Sequence, residues 1–192
     1  TIASKFRNAG QTCVCANRIY VHEDVLDEYT EKLTSAVKEL KVGNGMDEGV
    51  KIGPLIDEAG YDKVMNQLED AIDKGAVVET GGKGSKDEGY FIEPTVLSNI
   101  SDDMLCMTEE TFGPLAPIQS YKNLDEAIDK ANGTEFGLAA YYFTKDYATG
   151  VYLTENLDFG VLGWNNGAPS AANIPFGGLK ESGVGREGAP EG

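Results

Sequence analysis

Apolar residues recur at helical spacing over residues 24–40, where Val25, Tyr29, Leu33, Val37 and Leu40 share one face and glutamates and lysines cover the other. The spacing predicts an amphipathic helix that stops near Gly43. A second helix is expected from Asp57, a good N-cap residue, through Tyr61, Val64, Leu68 and Ile72 to Lys74-Gly75, where glycine can take the left-handed cap conformation. A loop over 43–54 joins the two. Shorter helices are expected over 124–131 and 146–155, the latter with Val151 and Tyr152 among its apolar positions. Runs with strand character fill the gaps at 18–21, 76–79, 91–97, 115–121, 138–143 and 159–164, while Gly81-Gly82 and residues 85–89 read as a solvated loop. This alternation with short connections implies an α/β fold, a three-layer α/β/α domain around a largely parallel sheet. No internal repeat, low-complexity tract or composition break divides the 192 residues, so one domain is the economical expectation.

Charge narrows the partners. Sixteen Lys and Arg residues face 32 Asp and Glu, a formal net charge of −16, which argues against nucleic acid because phosphate contacts need a basic face. The acids fall mostly on helix faces and in loops and read as a solvated surface; no D-x-[DN]-x-[DN]-G spacing suggests a cation site. A hydrophobic content of 41% argues against wholesale disorder. No stretch approaches the roughly 18 to 20 apolar residues of a membrane span, and the opening TIASKFRNAG lacks the apolar core of a secretory signal. No membrane partner and a cytoplasmic location are therefore expected. The chain opens on Thr1 rather than Met and stops on the Gly-rich run 186–192, which suggests a piece of something longer.

Three cysteines are present, and Cys13 and Cys15 are too close to staple distant parts of a fold. Residues 6–13, F-R-N-A-G-Q-T-C, end in a thiol after a glycine-containing polar run and before a strand. Such a turn can present a nucleophile, since nearby backbone N–H groups or cations favour the thiolate; taken alone, a cysteine there is more often a small buried residue. Zinc wants four ligands, and only Cys106 and His22 are available to complete a Cys13–Cys15 site, so no metal is expected. A reversible oxidative link between Cys13 and Cys15 is chemically open. Residues 109–114, E-E-T-F-G-P, combine carboxylates able to bind ribose hydroxyls with a ring able to pack on a flat cofactor; an acidic turn with a core phenylalanine is the other reading. Residues 175–187, P-F-G-G-L-K-E-S-G-V-G-R-E, lack the G-x-x-x-x-G-K-[ST] order of a phosphate loop, and their glycines are expected to shape a loop against another part of the protein. No G-x-G-x-x-G leads from a strand into a helix.

Together, in this order and at these separations, the three segments resemble the aldehyde dehydrogenase superfamily, and the resemblance covers essentially the whole chain as that family's catalytic domain. It implies an α/β domain closing over a separate cofactor-binding domain. Cys13 matches the nucleophile, which attacks the aldehyde carbon to give a thiohemiacetal and, after hydride loss to NAD or NADP, a thioester that water cleaves; its own N–H contributes to the oxyanion hole. Glu110 matches the carboxylate on the nicotinamide ribose and Phe112 the ring packed nearby. The family's general-base glutamate, oxyanion-hole asparagine and dinucleotide fold have no matching motif here, and its oligomerisation strand would follow Gly192. The isolated chain is therefore expected to fold without turning over aldehyde, and the whole protein to be a homo-oligomer with the cofactor bound mainly by the other domain. The C-V-C run after G-Q-T, with Arg7 six residues before Cys13, is most similar to succinate-semialdehyde dehydrogenases. There the arginine matching Arg7 grips the substrate carboxylate and a serine matching Ser170 shares the task; a structural arginine and an ordinary loop serine are the alternatives. Some members of that branch use the cysteine matching Cys15 as a redox switch. The expected substrate is thus a small carboxylated aldehyde, the alternatives being another small aldehyde or a non-catalytic redox-sensing or interaction domain of the same fold.

Overall fold

A computed structural model describes residues 1–190, so the last two residues of the Gly-rich run 186–192 lie outside it. The chain divides into two compact units, Thr1–Tyr121 and the residues from Lys122 onward.

The first unit is built on a four-stranded sheet of order β1 (Ile19–His22), β6 (Leu115–Tyr121), β5 (Thr95–Ser98) and β2 (Val77–Thr80). Strand β1 runs parallel to β6 with Ile19 opposite Ile118, β6 runs parallel to β5, and β2 closes one edge antiparallel. Residues 95–97 and 115–119 are all buried, because a parallel sheet covered on both faces needs near-continuous apolar strands rather than alternation. The helix expected first begins with a tight turn, Glu23–Val25, and continues as α2 (Leu26–Lys38), which packs Leu33, Thr34 and Val37 toward the sheet. Val25 belongs to that turn and is exposed. Helix α3 (Glu58–Asp73) starts where the sequence puts it, with Asp57 Oδ1 accepting the Gly60 N–H at 2.8 Å, and ends before Gly75 at φ 97°. Its buried face is Tyr61, Val64, Gln67, Leu68 and Ala71; Ile72 points outward because Ala71 takes the inward position. The run 91–97 is two strands, β4 (Phe91–Ile92) and β5, interrupted at Glu93-Pro94 where proline offers no N–H to a ladder. Strand β4 pairs antiparallel with β3 (Gly84–Ser85), whose Ser85 opens the 85–89 run read as loop. Two four-residue helices, α1 (Ile2–Lys5) and α4 (Leu105–Thr108), complete the unit.

The second unit contains α5 (Leu124–Asn132), β7 (Phe136–Gly137), β8 (Ala139–Tyr142), α6 (Tyr147–Asn156), β9 (Val161–Trp164) and β10 (Leu179–Lys180). Strands β8 and β9 are parallel, with Ala139 opposite Val161, over a small core of Ile128, Tyr142 and Leu153. Gly150 in α6 leaves room for the Trp164 indole, which a Cβ there would strike. The 175–187 segment shapes a loop, as its glycines suggest. Phe176 and Glu187 exchange main-chain hydrogen bonds at 2.7 and 2.8 Å, and Arg186 Nη1 donates to the Gly178 carbonyl at 3.0 Å. A Cβ on Gly160 would collide with the Gly177 carbonyl. Both units carry the strand and helix content of a mixed α/β fold, with parallel pairing at β1–β6, β5–β6 and β8–β9. Among the described residues, no helix is long and apolar enough to cross a membrane.

Candidate active site

The nucleophile-like segment folds through an unusual backbone. After α1, Asn8, Ala9 and Gly10 take φ values of 51°, 56° and 77° in succession, so two non-glycine residues sit in the left-handed region. Reciprocal side-chain contacts hold the turn: Asn8 Nδ2 donates to the Gln11 carbonyl at 3.2 Å and Gln11 Nε2 to the Asn8 carbonyl at 3.1 Å. Gln11 also fastens it to the strand-like segment before α3, accepting the Ile56 N–H at 2.9 Å and donating to the Pro54 carbonyl at 3.3 Å.

A second turn follows, closed by the Cys15 N–H on the Thr12 carbonyl at 2.9 Å. It separates the neighbouring thiols. Cys13 is exposed, whereas Cys15 is buried, with its Sγ 2.7 Å from Thr12 Oγ1 and donating to the Arg7 carbonyl at 3.6 Å. Cys106, in α4, is fully buried, and burial pushes its thiol up to about 11, which leaves it protonated and inert. Arg7 is exposed, and among the described residues no carboxylate pairs with its guanidinium.

The E-E-T-F-G-P segment meets this region directly. A Cβ on Gly10 would collide with the Gly113 carbonyl, so the two main chains touch where the two motifs cross. Asn17 Oδ1 accepts the Thr111 N–H at 2.9 Å. Thr111 is buried while its neighbours Glu110 and Phe112 expose their side chains, and Phe112 takes a left-handed φ of 51°. From behind, Gln67 Nε2 reaches the Glu110 carbonyl and Glu109 Oε2, each at 3.4 Å.

Lys5 is fully buried, and its Nζ has no hydrogen-bond partner among the described residues. Burial lowers its pKa to about 8, against the opposing attraction of Cys15, Cys106 and Glu110. Arg7, Cys13, Cys15, Glu110 and Phe112 thus belong to one unit, on two segments in main-chain contact. Ser170 lies exposed on an irregular stretch after β9, in the second unit. Asn17, Gln67 and Lys5 were not singled out by sequence reasoning; only Gln67 carried a signal, as a polar residue three positions after Val64 on the apolar face of α3. Among the described residues no three His, Cys, Asp or Glu side chains gather as a metal site. The arrangement can present a thiol on a tight turn beside a second turn that offers a carboxylate and an aromatic ring.

A profile of the aldehyde dehydrogenase family matches residues 1–192. The chain is 50% identical over 192 residues to the mitochondrial succinate-semialdehyde dehydrogenase of Mus musculus, covering 100% of this chain and 37% of that protein. It is also 50% identical over 191 residues to glutarate-semialdehyde dehydrogenase of Pseudomonas putida, covering 100% of this chain and 39% of that protein. The crystal structure of succinate-semialdehyde dehydrogenase from Burkholderia pseudomallei matches with a TM-score of 0.97 at 49% identity, over 100% of this chain and 40% of that one. The chain therefore spans about two fifths of the length of these relatives. Motifs that cross in space, a shared fold and a match along the full length converge on one assignment: the chain belongs to the aldehyde dehydrogenase family.

Proposed function

We propose that residues 1–192 are the nucleophile-bearing catalytic domain of an NAD(P)-dependent aldehyde dehydrogenase that oxidises a carboxylated semialdehyde, succinate semialdehyde foremost, to the acid. One observation carries the reading: the exposed Cys13 thiol sits on a turn whose supporting main chain touches the segment that exposes Glu110 and Phe112. Cys13 Sγ adds to the aldehyde carbon, and the Cys13 N–H stabilises the oxygen charge of the thiohemiacetal. A bound nicotinamide cofactor would supply the hydride acceptor that lets the thiohemiacetal on Cys13 become a thioester. Water then releases the acid and restores the thiol. Glu110 fits the cofactor as an exposed acceptor for ribose hydroxyls, and Phe112 as an exposed ring beside it.

Arg7 binds the substrate carboxylate in this reading, supported by its exposure and its lack of an ion-pair partner among the described residues; a substrate role for Ser170 rests on the sequence resemblance alone. In a chain of net charge −16, a local guanidinium is what lets an anionic substrate approach. The separate cofactor domain and a homo-oligomeric assembly belong to the same reading. So does a reducing compartment such as the cytoplasm, which suits three free cysteines. Cys15 is the redox partner of Cys13, and a link between them requires Cys15 to give up its Thr12 and Arg7 contacts. Peroxide should then produce a reducible two-proton mass loss mapped to that pair.

The deciding experiment compares kcat/KM of the full-length enzyme for succinate semialdehyde, glutarate semialdehyde and butanal, with Arg7 intact and with Arg7→Ala. A charged contact of about 2 to 4 kcal/mol predicts that the preference for the semialdehydes falls by roughly 30- to 1,000-fold in the variant. Equal use of the three aldehydes, unchanged by the substitution, removes the semialdehyde assignment. Steady NAD(P)H production by residues 1–192 alone would show that the isolated domain is catalytically complete, against expectation.

A further inference from the structure

We infer that Gln67 is a positioning residue for Glu110: its buried side-chain amide fixes the main chain from which the Glu110 carboxylate projects. The inference rests on the reading of Glu110 as the group that binds the cofactor ribose.

Gln67 is fully buried on the apolar face of α3, where burying an amide is unfavourable unless its polar atoms find partners. Its Nε2 finds two, the Glu110 carbonyl and Glu109 Oε2, both at 3.4 Å. Its Oε1 finds none among the described residues. The orientation is determined by chemistry, because both atoms facing the amide are acceptors and only the NH2 end can meet them. A leucine or methionine of similar size would fill the same space without leaving an orphaned acceptor, so simple core filling does not account for glutamine here.

The same helix face holds the other end of the segment. Val64, three residues earlier, packs where a Cβ on Gly113 would lie. Between these two holds, Asn17 accepts the Thr111 N–H and Phe112 adopts its left-handed conformation. The main chain over 110–113 is thus defined at both ends and in the middle, while Glu110 and Phe112 remain exposed. Loss of the Gln67 donors releases the end that carries the carboxylate. The consequence falls on the cofactor side of the site, since hydrogen bonds of Asn8, Gln11 and Thr12 shape the Cys13 turn, which meets this segment at Gly113, the end packed by Val64.

The test is a cycle in the full-length enzyme with Gln67→Met, Glu110→Gln and the double variant. Gln67→Met should raise the KM for NAD(P)+ by about tenfold with a smaller change in kcat, while alkylation of Cys13 without cofactor stays within about twofold of wild type. In the Glu110→Gln background the same substitution should change KM little further, because Gln67 acts through Glu110. An unchanged KM for Gln67→Met, or a full tenfold effect in both backgrounds, overturns the inference. An unchanged KM for Glu110→Gln instead overturns the reading of Glu110 itself. Should Gln67→Met not fold, Gln67→Glu keeps size and polarity but replaces the donor with a charge facing Glu109; at neutral pH its KM must rise at least as much, and a wild-type value would be equally fatal.

Discussion

Gly10 against Gly113 in the first unit and Gly160 against Gly177 in the second each bring two main chains together, and the surroundings of these two contacts differ. At Gly10 and Gly113 the contact lies under exposed Cys13, Glu110 and Phe112 and over buried polar groups, of which Lys5 Nζ, Gln67 Oε1 and Thr111 Oγ1 lack partners among the described residues. At Gly160 and Gly177 the neighbouring polar groups are matched: Ser182 Oγ accepts the Gly137 N–H at 2.9 Å, and Arg186 donates to two loop carbonyls. Both regions hold non-glycine residues at left-handed φ, Asn8 and Ala9 in the first and Lys180 in the second, but among the described residues only the first carries buried polar side-chain atoms without partners. Stability has been given up beneath the candidate site and kept around the Gly-rich loop, the distribution expected where one region is held in place for chemistry and the other for architecture.

The comparison breaks first at Gly10. Alanine there meets both a left-handed φ of 77° and the Gly113 carbonyl, so a loss of about 4 kcal/mol in urea unfolding is expected; a loss below about 1 would show that the motif crossing is loose. Lys5→Met should act in the opposite direction. Folding lowers the Lys5 pKa from its ordinary 10.5 to about 8, so the burial penalty is full below pH 8 and fades as pH rises toward 10.5. The variant should gain on the order of 3 kcal/mol at pH 7 and little at pH 10.5, which denaturation across that range would reveal. Asn17→Ala leaves the Thr111 N–H buried without its acceptor and should cost about 2 kcal/mol. Ser182→Ala removes one partly exposed acceptor in the satisfied region and should cost about 1 kcal/mol or less. A larger effect at Ser182 than at Asn17 would reverse the contrast between the two regions.

Long periodic elements were readable in the sequence because burial imposes their spacing. Helix α3 keeps its Asp57 cap and its Gly75 stop, and β6 has the bounds its apolar run suggests. The errors have local causes. Ile72 fits the apolar period but yields the inward position to the smaller Ala71, and Pro94 splits a run whose residues on either side are strand formers. Motifs singled out Cys13, Glu110 and Phe112, and all three side chains are exposed. Their support was not legible in the sequence. A buried lysine on a four-residue helix has no periodic signature, and the bond from Asn17 to Thr111 joins residues 94 positions apart, a pairing only the folded chain displays.

Gly150 has a spectroscopic consequence. By leaving a flat seat on α6 it places the indole of Trp164, the chain's single tryptophan, among Tyr142 and Tyr147 in the second unit. Emission from that ring reports on its surroundings in the second unit, whereas the sealed thiol of Cys106 becomes reactive when the core of the first unit opens. Fluorescence and thiol release, followed in one denaturation experiment on the unlabelled protein, therefore time the opening of each unit separately.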